Sequence, residues 1–179
     1  MVVQALDERN AEEGGRAAEL LSSKAEKVVS EVFLLELSSA FSRRDDLVSA
    51  VASQVTATSA AIVTAYVVYV MSKYGLKLIE APGEMVFTPM GRVSAQVGVA
   101  MGHSAELKLR SLDLLHISHL LVLKERGYPI ESVITSDREF LKAEKFLESR
   151  GVKVAIPVSH PRPKDVSVPS TEPSTTGTR

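Results

Sequence analysis

The stretch from Leu109 to Phe140 constrains the fold of this chain more than any other. Its first part, Leu109-Arg110-Ser111-Leu112-Asp113-Leu114-Leu115-His116-Ile117-Ser118-His119-Leu120-Leu121-Val122-Leu123, is an apolar helical pattern with one carboxylate near its start. After Glu125-Arg126-Gly127-Tyr128-Pro129 comes the β-branched run Ile130-Glu131-Ser132-Val133-Ile134-Thr135-Ser136, which ends on Asp137 and enters another helix through Arg138-Glu139-Phe140. A strand that stops on an acid at a helix start is where a parallel α/β sheet places its chemistry.

The rest of the chain repeats that alternation. Asn10 to Leu21 reads as a helix, Lys27-Val28-Val29 as a short strand, and Ser30 as the cap of a helix from Glu31 to Ser42. On that helix Phe33, Leu34, Leu37, Ala40 and Phe41 share one apolar face, with Glu36 on its flank. Arg43-Arg44-Asp45-Asp46 forms a charged joint. Lys77 to Glu80 is the next strand candidate, Pro82-Gly83 breaks it, and Val93 to Glu106 reads as a helix. Past Asp137 a helix runs through Phe140, Leu141, Ala143, Phe146 and Leu147, with Gly151 as its stop and Val152 to Ile156 as a last strand. Strands that alternate with helices predict a parallel sheet covered on both faces, a three-layer α/β/α sandwich over residues 1–158. Residues 159–179, rich in Pro, Ser and Thr and without periodicity, read as a disordered tail.

Composition removes several function classes. The 179 residues include no cysteine, so disulfides, thiol catalysis and thiolate metal sites are excluded, and any metal must rest on carboxylates or histidines. A net charge of -1 gives no global attraction to nucleic acid, so a polyanion would need a local basic patch. Leu47 to Met71 is a 25-residue stretch without charge, the length of a membrane span. Ser49, Ser53, Gln54, Thr56, Thr58, Ser59 and Thr64 dilute it, however, and favour a buried or partner-facing helix. The first residues lack the basic start and apolar run of a signal peptide, so the expected location is cytoplasmic. Phosphate-binding glycine loops, the nucleophile elbow and the His-Glu-x-x-His helix are absent.

Three carboxylates stand out, each with a structural reading beside the functional one. Asp113 lies in a helix that is otherwise core-like, where an unpartnered carboxylate costs several kcal/mol or loses its charge. Its structural reading is an acid favoured by the helix dipole, with Ser111 as cap. Asp137 sits in Ser136-Asp137-Arg138-Glu139, which fits a capping box with Ser136 as cap. Glu36 alone would be a solvated edge. His116 and His119, three apart on the Asp113 helix, offer a His/His/Asp metal cluster or two hydrogen-bonded core histidines.

Taken together these segments resemble the PIN domain, a metal-dependent nuclease fold. In size and order the chain is similar to the VapC-like toxin subunits of VapBC toxin–antitoxin pairs. Ser-Leu-Asp-Leu-Leu-His-Ile-Ser-His looks like the family's third-acid helix and Ile-Thr-Ser-Asp-Arg-Glu-Phe like its fourth-acid strand end. Val29 to Leu37 looks like its second-acid segment. The resemblance implies an endoribonuclease in which Glu36, Asp113 and Asp137 hold Mg²⁺ or Mn²⁺, directly or through water, with Thr135 or Ser136 orienting a carboxylate or the attacking water. Hard divalent ions prefer such oxygen ligands. It also implies an RNA substrate, a homodimer, and an antitoxin protein that covers the acidic pocket. Arg43, Arg44, Lys108, Arg110, Arg138 and Lys142 lie near these acids in sequence and would form either a phosphate-binding patch or ordinary surface charge.

The resemblance has one departure. The family opens on a strand that ends in Asp, the first metal ligand, and nothing before Asn10 reads that way. Val2 to Leu6 looks instead like the helix that follows such a strand. The expectation is therefore a PIN-like sandwich whose first strand is missing or truncated, with two strand edges left open. Asp7 is the nearby acid that would substitute. The alternative function is a catalytically incomplete module that keeps the fold to bind RNA or protein.

Overall fold

A computed structural model describes residues 11–81 and 83–156. Helix α1 (Ala11–Leu21) leads to β1 (Lys27–Val29), and Ser30 then caps α2 (Glu31–Ser42) by accepting the Phe33 N–H at 3.2 Å. The charged joint does not continue α2. Arg44 has left the helical region, and α3 (Asp45–Ala52) begins with Asp45 and Asp46 in its first turn, where the helix dipole favours them. The uncharged run is also interrupted: α3 stops at Ala52, and α4 (Ser59–Tyr74) starts afresh under a Thr58 cap that accepts the Ala61 N–H. Among the described residues no helix is long and apolar enough to cross a membrane. Gly75, at φ 58°, closes α4 in the left-handed region that suits glycine, and the chain passes straight into β2 (Leu76–Leu78).

Beyond Pro82 the structure departs from the sequence reading. Met85–Thr88 (β3) and Gly91–Ser94 (β4) form an antiparallel hairpin, closed at Pro89-Met90 with Gly91 at φ 121°. The helix expected from Val93 consequently begins only at Ala95 (α5, Ala95–Leu107), because Val93 and Ser94 belong to β4 and Ser94 is the cap. The hairpin signals, an apolar β-prone run and a Pro-x-Gly turn, were present but short.

Helix α6 (Ser111–Glu125) follows, and Ser111 lies inside it rather than capping it. The cap position is Arg110, whose side chain makes no cap hydrogen bond. Strand β5 (Ser132–Ile134) leads through Asp137 into a 3₁₀ helix over Arg138–Ala143 and a short α7 (Glu144–Glu148), in place of the single α-helix expected there. Helix α7 ends at Glu148 with Ser149 as its cap, two residues before the Gly151 read as its stop; Gly151, at φ 70°, closes the turn into β6 (Lys153–Ala155), which completes the described elements.

The architecture is mixed α/β. Strands β1 and β2 pair in parallel, as do β5 and β6, while β3 and β4 are antiparallel; among the described residues these are three separate two-stranded sheets. Each parallel pair carries its own core. Leu21, Leu37, Phe41, Val70, Tyr74 and Leu76 pack around β1 and β2. A second cluster, including Leu107, Leu114, Ile117, Leu121, Phe140, Phe146, Leu147 and Val152, packs around β5 and β6. Helix α6, apolar on nearly every side, is buried from Asp113 to Leu123 apart from Leu115 and His116, and it touches both α5 and α2. Asp7, the Val2–Leu6 helix reading and the 159–179 tail lie outside the described residues.

Candidate functional site

The start of α6 makes polar contacts with residues just past the carboxyl ends of β5 and β1. At the β5 end, the chain leaves Ile134 through Thr135, whose hydroxyl accepts the Asp137 N–H at 3.0 Å. Asp137 itself caps the 3₁₀ helix, accepting the Glu139 N–H at 2.9 Å on Oδ1. The cap therefore falls on Asp137, one residue after the Ser136 read from the sequence, and the Glu139 carboxylate pairs with Lys142 instead of closing a box. Because only Oδ1 is used in the cap, Oδ2 of Asp137 is left to face α6. It receives Nη2 of Arg110.

Arg110 also reaches Asp113, with Nε at 3.2 Å from Oδ2. Two carboxylates far apart in sequence thus converge on one guanidinium. Asp113 is the more deeply placed, at 7% exposure, and this ion pair is what allows a carboxylate to be buried in so apolar a helix. The hydrogen bond to Asp113, then the charges of Asp113 and Asp137, hold the Arg110 pKa above its ordinary value.

One turn along α6, His116 makes a second polar contact with the other half of the molecule. Its Nε2 lies 2.8 Å from Oε2 of Glu36, and its Nδ1 lies 3.3 Å from the Ser30 hydroxyl at the end of β1. A carboxylate can only accept, so Nε2 carries the proton; in the neutral ring Nδ1 then accepts from Ser30. The three acids named from the sequence fall along one seam, in the order Asp137, Arg110, Asp113, His116, Glu36. Residues 113 and 116 are neighbours on one helix face, about 5–6 Å apart at Cβ.

The seam is not a single cluster of acids. Glu36 is engaged by His116, and among the described residues no group of three or more His, Asp or Glu is placed to hold a metal ion. The histidine pair separates as well. His119 is 5% exposed, and burial, reinforced by neighbouring His116, lowers its pKa against the opposing pulls of Glu31 and the Ile79 backbone. It is a core residue and takes no part in the seam. Of the basic residues, Arg110 lies on the acids. Arg43 bonds Ser39, Arg44 pairs with Asp46, and Lys142 with Glu139. Sequence reasoning treated Ser30 only as a cap and Arg110 only as one cation among six; the contact of Ser30 with His116 spans residues too distant for any local signal.

The donor chemistry fits a divalent ion at Asp113 and Asp137. Mg²⁺ is commonly bound through one or two carboxylates with water in its remaining positions, and two carboxylates already share a cation here. A scan of protein-family models and searches of curated proteins and of solved structures find no significant match to this chain.

Proposed function

We propose that this chain is a PIN-like, Mg²⁺- or Mn²⁺-dependent endoribonuclease with a three-layer α/β/α plan, acting in the cytoplasm as a toxin-like subunit. The observation that carries the reading is the convergence of Asp113 and Asp137 on one cationic group beside the carboxyl end of a parallel strand. Ligands of parallel α/β sheets bind beyond the carboxyl ends of the strands, and Asp137 follows β5 at that end. Asp113 and Asp137 would hold the ion, and Thr135 fixes the loop that presents Asp137. Bound there, a divalent ion would supply an activated water and neutralise charge on a phosphodiester. Glu36 and His116 form the next polar contact along the seam and would orient solvent or a ribose hydroxyl.

Exposed apolar side chains support protein partners, an identical subunit or an antitoxin. Val68 and Tyr69 stand out on α4, Leu35 on α2, and Phe87 and Met90 on the hairpin, with Phe87 82% exposed. The second reading is a binding module without catalysis, favoured by the engagement of Glu36 with His116 and the lack of a third metal-spaced acid among the described residues.

The test is cleavage of labelled single-stranded RNA with Mn²⁺, with Mg²⁺ and with chelator, beside an Asp113→Asn variant. Metal-dependent cutting that falls roughly 100-fold or more in the variant is expected. RNA retention without cutting selects the binding module.

A further inference from the structure

We infer that Arg110 is an intramolecular counter-ion that occupies the cation position between Asp113 and Asp137 and must swing out when a divalent ion binds. The inference rests on the metal reading proposed above. Both of its contacts are with the carboxylates that would be ligands, Nε with Asp113 and Nη2 with Asp137. The side chain is otherwise held by little, since it is 69% exposed and makes no cap hydrogen bond to α6. A guanidinium fixed by charge rather than by packing can leave without opening a cavity. Leu109, the residue before it, packs against the buried cluster and anchors the backbone, so the motion belongs to the side chain.

Charge balance gives the exchange a direction. Around Arg110, two carboxylates against one guanidinium leave one negative charge in excess. A divalent ion in its place neutralises both carboxylates. The released guanidinium then stands at the rim of the site, with a planar fork of N–H donors suited to a phosphate. Arg110 would thus neutralise the acids while the site is empty and contact the substrate backbone when it is filled. Thr135 is one turn of loop away and makes its own bond to the Asp137 N–H, so Asp137 stays in place during the exchange.

The experiment is Mn²⁺ titration of the full chain by calorimetry, comparing wild type with Arg110→Gln and with Asp137→Asn. If the guanidinium competes, Arg110→Gln binds Mn²⁺ about tenfold tighter than wild type, the effect of removing one nearby like charge, and Asp137→Asn binds more weakly. Equal or weaker binding by Arg110→Gln, with wild type binding normally, overturns the inference alone. Absence of binding by every form at millimolar Mn²⁺ overturns the metal reading and the inference with it. A measurement on wild type guards against a misfolded variant: the Arg110 Nε–H signal is followed during Mg²⁺ titration. It is expected to shift and to exchange faster with water as the ion binds; an unchanged signal at saturating Mg²⁺ counts against displacement.

Discussion

His119 and Asp113 show two outcomes of burying a titratable side chain in the same apolar helix. Asp113 is paired with Arg110, which reaches back to it, whereas His119 has no side chain in salt-bridge contact and burial outweighs the pulls of Glu31 and the Ile79 backbone. The sign of the resulting pH dependence follows from linkage. The unfolded chain binds a proton at His119 below about pH 6.5, and the folded chain, with its lowered pKa, binds it only at lower pH, so stability falls as pH drops through that window. The cost is at most about 1.4 kcal/mol per pH unit below that point. His119→Leu is expected to remove this part of the acid sensitivity. Urea midpoints at pH 5 and pH 7.5 should separate wild type from variant more at the lower pH, with the variant the more stable. At this scale the sequence revealed that Asp113 needed a partner but not which one. The cap at Asp137 was read one residue early because Ser136 and Asp137 are both good cap residues, and local spacing alone does not choose between them.

Elements were the most legible level, for reasons visible in particular residues. Helix α2 has the bounds read from the sequence because a serine cap, an acid in the first turn and a single apolar face agree. Replacing Ser30 by Ala is expected to cost about 1 kcal/mol through the lost cap, and also to release His116 Nδ1, which imidazole NMR shifts would report. The hairpin was missed because β3 and β4 are four residues each and adjoin a clear helical pattern. It nonetheless sets a strict requirement on α5. A Cβ at Gly98 would lie 2.4 Å from Cγ2 of Val86, whereas one at Gly102 meets nothing within 4 Å. Gly98→Ala should therefore destabilise by about 1–3 kcal/mol through overpacking. Gly102→Ala should stabilise by roughly 0.5–1 kcal/mol through helix propensity. Thermal or urea unfolding of both variants checks the opposite signs.

For the whole molecule, the sequence indicated alternating strands and helices but not how the short strands join. The parallel pairs β1–β2 and β5–β6 have separate apolar clusters, and the seam on α6 is a polar link between them. Hydrophobic periodicity does not encode such a link, because it depends on His116 meeting Ser30 and Glu36 across the fold. His116→Ala should loosen the joint without opening either core. Amide exchange is expected to rise in β1 and the first turns of α2 while Phe146, Leu147 and Val152 stay protected.

In the proposed function Asp113 and Asp137 share one divalent ion. The most direct measurement is anomalous diffraction at the manganese edge from crystals of this chain soaked in Mn²⁺. A peak between the two carboxylates is expected, with the Arg110 guanidinium moved off them. A well-ordered seam with Arg110 still bridging Asp113 and Asp137, and no manganese between them, would contradict it.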